Sequence, residues 1–74
     1  MEIKDSYLPS VAQRVQTVKS QIDESKSILY RLVLSRDEAI DRGDSKTADE
    51  DEFNMKTMVR KIDFLTDVLD QLGE

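Results

Sequence analysis

Apolar side chains recur along this chain at alternating steps of three and four residues in two long runs, and a single glycine, Gly43, separates the runs. Such spacing holds a stripe on one face of an α-helix, whereas strands would need alternation at every second residue. The first stripe is Leu8, Val11, Val15, Val18, Ile22, Leu29, Leu32 and Ala39, interrupted by Ser25 and Arg36. The second is Ala48, Met55, Met58, Ile62, Leu65, Leu69 and Leu72. Two glycines and one proline are all that could break a helix in 74 residues, and the charged fraction of 36% suits long solvated helices.

Local signals place the ends. Ser10 followed three residues later by Gln13 has the form of a capping box. Gly43 supplies the left-handed residue that ends helices, and Asp41 to Ser45 holds turn formers and a new N-cap. The expected organisation is one all-α domain: an N-terminal extension over 1–9, helix one over 10–42, a turn at 43–45 and helix two over 46–72. Acids at Asp49, Glu50, Asp51 and Glu52 are expected to complement the positive end of the second helix dipole.

A turn this short makes the helices antiparallel neighbours, a coiled-coil-like hairpin. Mirroring the chain about Gly43 and Asp44 sets Ala39 against Ala48, Leu32 against Met55, Leu29 against Met58, Ile22 against Leu65, Val18 against Leu69 and Val15 against Leu72. Two stripes read independently thus coincide layer by layer. Arg36 falls opposite Asp51, predicting an ion pair in the seam whose value is register more than net stability. Ser25 falls opposite Ile62 and predicts a thin layer.

Much apolar surface lies off those stripes: Ile28, Tyr30, Val33, Leu34 and Ile40 in the first helix, and Phe53, Val59, Phe64 and Val68 in the second. From Ile28 to Leu34 every residue except Arg31 is apolar, more than one neighbouring helix can cover and a segment prone to aggregate when uncovered. Chains of this size bury only about 60% of the surface of their unfolded form and usually need outside support. Without cysteine or histidine, neither a disulfide nor a zinc site supplies it. Association is therefore expected, as a four-helix bundle of two chains or a larger helical oligomer, with the nine off-stripe residues as its surface. A groove for another protein's helix is the sharper version of the same expectation.

Charge narrows the partners. Residues 1 to 36 carry a net +2 and residues 37 to 74 a net −7, within the overall −5. The tip segment, residues 37 to 52, holds eight acids against two bases, with Asp41, Asp44, Asp49, Glu50, Asp51 and Glu52 as its acidic cluster. Direct nucleic-acid binding and anionic membranes are disfavoured, and a basic protein surface becomes the natural complement. The stretch Met1 to Leu8 lacks the apolar region of a signal peptide, and no run is apolar enough to span a bilayer. A cytoplasmic location is expected, in the host cytoplasm if the protein is viral.

Catalytic chemistry finds little support. Without histidine or cysteine there is no triad, and a two-helix hairpin lacks the interior that would drive two carboxyl pKa values apart. No glycine-rich phosphate loop is present, and neither a cofactor nor a metal is expected. Asp63, Asp67 and Asp70 share a helical face but sit beside Lys56 and Arg60 as on an ordinary solvated surface. Arg42-Gly43-Asp44 spells an adhesion tripeptide, yet Gly43 already has a sufficient purpose as helix terminator. The sequence thus predicts a non-enzymatic interaction module, an adaptor or small chaperone-like protein that self-associates, dimers favoured, and binds a partner helix. The alternatives are an acidic inhibitor that occupies a basic or nucleic-acid-binding surface of another protein, and an oligomer that binds a small ligand between subunits.

Overall fold

The computed structural model describes residues 9–73. Two helices, α1 (Val11–Asp41) and α2 (Ser45–Gln71), pack against each other as a helical hairpin. α1 is one residue shorter at each end than the expected 10–42, and α2 starts and ends one residue earlier than the expected 46–72. Leu8, the first residue of the expected stripe, lies outside the described residues.

The capping box closes the start of α1. The Gln13 N–H donates to Ser10 Oγ at 3.2 Å, and the Ser10 N–H donates to Gln13 Oε1 at 2.9 Å. Two of the donors that a helix start leaves without an intrahelical partner are thereby satisfied. At the other end Gly43 adopts φ +75°, its N–H donates to the Ile40 carbonyl at 3.0 Å, and the Asp44 N–H reaches back to the Ala39 carbonyl at 2.8 Å. This pair of reversed bonds is the Schellman arrangement, which turns the chain sharply while satisfying two terminal carbonyls. Asp44 then serves a second time, as the N-cap of α2, its Oδ1 accepting the Thr47 N–H at 3.1 Å. A three-residue connection results because one residue finishes one helix and starts the next.

The hairpin measures 56 × 26 × 16 Å, a flat rod one helix thick. Its interior is correspondingly thin. Val18, Ile22 and Leu65 are buried, with Ile62, Val68, Leu69 and Leu72 packed around them near the open end. Ala39 and Ala48 are buried beside the turn, and Leu29, Leu32, Met55 and Met58 between them are only half-buried. Ser25 is buried in the seam and its hydroxyl donates to the Gln21 carbonyl at 2.8 Å, so a small polar side chain fills its layer without an unmet hydrogen bond. Val11 belongs to the stripe by spacing but is exposed, and its mirror position lies beyond Gln71, the last residue of α2.

Gly43→Ala separates conformational strain from packing, since a methyl group there meets nothing within 4 Å. The variant is expected to lose about 1–2 kcal/mol, the cost of a left-handed L-residue, against about 1 kcal/mol for Ser10→Ala. Urea unfolding followed by circular dichroism at one fixed concentration measures both, and a neutral Gly43→Ala would mean that the turn tolerates another conformation.

Candidate interaction surface

The thirteen seam residues expected from the spacing are all buried or half-buried. Val18, Ile22, Asp51 and Leu65 are buried, while Val15, Leu29, Leu32, Arg36, Met55, Met58, Ile62, Leu69 and Leu72 are half-buried. The expected Arg36–Asp51 ion pair is absent. Arg36 turns its guanidinium outward instead, to Asp37 at 3.2 Å and to Glu52 at 3.7 Å. Along the rim those carboxylates remain hydrated, so pairing with them avoids the desolvation that a buried pair would require. Asp51 is left only 8% exposed, with its Oδ2 lacking a hydrogen-bond partner, and the Arg36 Nε is buried and unpartnered as well.

Asp51 is therefore no part of the solvent-facing acidic tip. Asp41, Asp49, Glu50 and Glu52 are exposed and Asp44 is half-buried. The first turn of α2 contains no acid, so Asp49 to Glu52 begin one turn too late for the dipole role expected of them, and Asp44 is the carboxylate that meets the free N–H groups. Hydrogen bonds from Thr47, together with the nearby Arg42 guanidinium at 3.6 Å, hold the Asp44 carboxyl below its ordinary value of 3.8.

The nine residues expected to form one association surface do not share a face. Tyr30, Phe53, Phe64, Leu34 and Ile40 are 73, 70, 66, 65 and 58% exposed, Val59 is exposed to a lesser degree, and Ile28, Val33 and Val68 are half-buried. Val68 packs on the Val18, Ile22 and Leu65 cluster and so belongs to the hairpin itself. Leu34 and Phe53 each lie two residues from seam positions, about 200° round their helices, and form the outer ridges. Phe64 precedes a seam residue and Val59 follows one, which sends them to opposite flanks of α2.

The flank of Val59 carries the continuous depression. One hollow is lined by Lys26, Leu29, Tyr30, Val59, Ile62 and Asp63, a second by Arg36, Glu52, Met55, Lys56, Val59 and Arg60, and a third by Arg36, Ile40, Ser45, Ala48, Asp49 and Glu52. Val59 joins the first two, and Arg36 with Glu52 joins the second to the third. Together they make one open groove with an apolar floor and charged rims. A smaller hollow on the other flank lies between Pro9, Thr17, Val68 and Leu72. Sequence periodicity missed the groove because its floor mixes seam residues with their immediate successors, Val59 after Met58 and Asp63 after Ile62; the handed bias of those successors was the available signal.

Among the described residues no group of three or more Asp or Glu side chains is arranged to hold a metal ion, and no helix is long and apolar enough to cross a membrane. Asp63, Asp67 and Asp70 are all exposed. The chain matches no family model, no curated protein and no solved structure among those compared.

Asp51 and Asp44 give opposite expectations. Removing a buried carboxylate with an unmet oxygen relieves its desolvation cost, and Arg36 keeps its other partners, so Asp51→Ala is expected to stabilise the hairpin by about 1 kcal/mol in urea unfolding; a loss instead would reveal an Arg36–Asp51 pair in solution. For Asp44, the folded pKa lies below the unfolded one, so its contribution is complete above about pH 3.8 and disappears as pH falls through the folded value. Asn caps about as well as Asp. The stability difference between the parent protein and Asp44→Asn should therefore narrow below pH 3.8 in thermal melts, and a constant difference across that range would remove the charge from the account.

Proposed function

We propose that this chain is a non-enzymatic protein–protein interaction module of the cytoplasm, an adaptor or small chaperone-like assembly protein, that associates with itself into a helical bundle and engages a helix of another protein. One observation carries the reading: five large apolar side chains, Tyr30, Leu34, Ile40, Phe53 and Phe64, are each more than half exposed on a hairpin that has only one seam. Burying such a side chain stabilises by about 1.5–3 kcal/mol, and these five stand on faces that the single seam does not cover. Because these residues lie on both flanks and both outer ridges, a bundle can occupy one face while another remains for a client.

The exposed acids Asp49, Glu50 and Glu52 favour a second reading, an acidic inhibitor that occupies a basic groove on another protein. Light scattering across concentration, paired with circular dichroism, divides the two. The interaction module is expected to form species heavier than 8.5 kDa, and Tyr30→Glu, Leu34→Glu, Phe53→Glu and Phe64→Glu combined should reduce them to a helical monomer. Asp49→Lys with Glu50→Lys should leave association unchanged. A parent protein that stays a stable helical monomer at every concentration would overturn self-association and move weight to the acidic tip.

A further inference from the structure

We infer that Arg36 is a two-position latch between the rim of the groove and the seam of the hairpin. At rest it holds the rim through Glu52 and Asp37, and when those carboxylates are engaged elsewhere it swings inward onto Asp51. The inference goes beyond the interaction reading and stands on the single hairpin, whether or not copies associate.

Two unmet atoms carry it. The Asp51 Oδ2 is buried without a donor, and the Arg36 Nε is buried without an acceptor. One is a charged acceptor and the other a donor on a cation, and the mirror register about the turn sets their residues opposite each other. A buried Nε also places the stem of Arg36 along the seam, so that only its terminal nitrogens reach the rim. Helices in contact stand about 8–10 Å apart, within the span of an arginine side chain. Turning inward therefore calls for side-chain rotation and not for a movement of either helix.

The two positions have opposite costs. At the rim the guanidinium keeps its hydration, but its hold is weak. Only the Asp37 contact, 3.2 Å, is within hydrogen-bond distance, Glu52 stands at 3.7 Å, and both carboxylates are more than half exposed. In the seam a pair with Asp51 satisfies both unmet atoms at the expense of drying the cation. A wet, weak contact is exchanged for a dry, strong one, so the balance turns on what Glu52 and Asp37 are doing.

That balance reaches the surface. Arg36 and Glu52 line both hollows at the turn end of the groove. An inward swing unties them and leaves Glu52 and Asp37 open to a basic group while the seam gains a pair. Reciprocally, any cation that takes those carboxylates drives Arg36 inward. The latch thus passes occupancy of the rim to the interior of the hairpin.

Urea unfolding at one fixed protein concentration, followed by circular dichroism, reads the latch through the sign of one substitution. In the parent at low salt, Asp51→Ala should raise the folding equilibrium constant about fivefold. With Asp37→Asn and Glu52→Gln in place, the same change should lower it about fivefold, because Arg36 then relies on Asp51. Adding Arg36→Met to that background should restore the gain and tie the reversal to the guanidinium. Salt supplies a second readout. The coupling between Arg36 and Asp51 in a double-mutant cycle should grow from about 0.1 M to about 1 M sodium chloride, the reverse of an ordinary ion pair, because the exposed rim is screened more than the seam. A gain from Asp51→Ala in the neutralised background would overturn the latch, since Arg36 then never enters the seam. A loss already in the parent at low salt would overturn it from the other side, with Arg36 resident in the seam throughout. Either result leaves the association reading intact, because concentration is held constant.

Discussion

A helix with one neighbour can bury one stripe, and that limit governs this hairpin. Its two rods touch along a single line, so the best-packed residues, Val18, Ile22 and Leu65, gather near the open end while Leu29, Leu32, Met55 and Met58 remain half-wet. Packing elsewhere in folded proteins surrounds a core side chain with several elements. Here the third and fourth sides are missing, and the large side chains that would fill such a space, Tyr30, Leu34, Phe53 and Phe64, stand in solvent. The chain carries more apolar surface than its single seam covers.

The turn makes that economy of parts possible. Gly43 takes the left-handed conformation and Asp44 closes both helices, once through its backbone N–H and once through its carboxylate. So tight a connection fixes which residues oppose one another and holds the helices antiparallel. It also brings Ala39 and Ala48 together beside the bend, where only small side chains fit. Acidity at this end then follows two separate rules. Asp44 answers the helix terminus, whereas Asp49, Glu50 and Glu52 stand exposed on the first solvent-facing turns of α2.

Placement of the uncovered residues connects structure to the proposed role. Spread around the rod, they give it several apolar faces of different character, one a groove with charged rims and the others ridges and a flank centred on Leu34, Phe53 and Phe64. Under the proposed role, that separation would let self-association through one face leave another open to a client. Arg36 illustrates the link to energetics. By joining the rim of the groove through Glu52 and Asp37 it supports the charged edge, and the cost falls on Asp51, left buried with an unmet oxygen.

What the sequence determined by itself was whatever depends on position along the chain. Three-four spacing specifies helices, Ser10 with Gln13 specifies a start, Gly43 specifies a stop, and mirror symmetry about the turn specifies the layers, because each is a one-dimensional regularity imposed by backbone geometry. Three dimensions decided the rest. Arg36 chose its partner by rotamer and hydration, Val11 stands exposed with its mirror position beyond the end of α2, Asp51 was withdrawn from the acidic cluster, and the nine off-stripe residues were divided among faces by the handedness of the helix. A stripe can be counted from spacing alone, but which flank a side chain lines, and what lies across from it, exists only once two helices share a common frame.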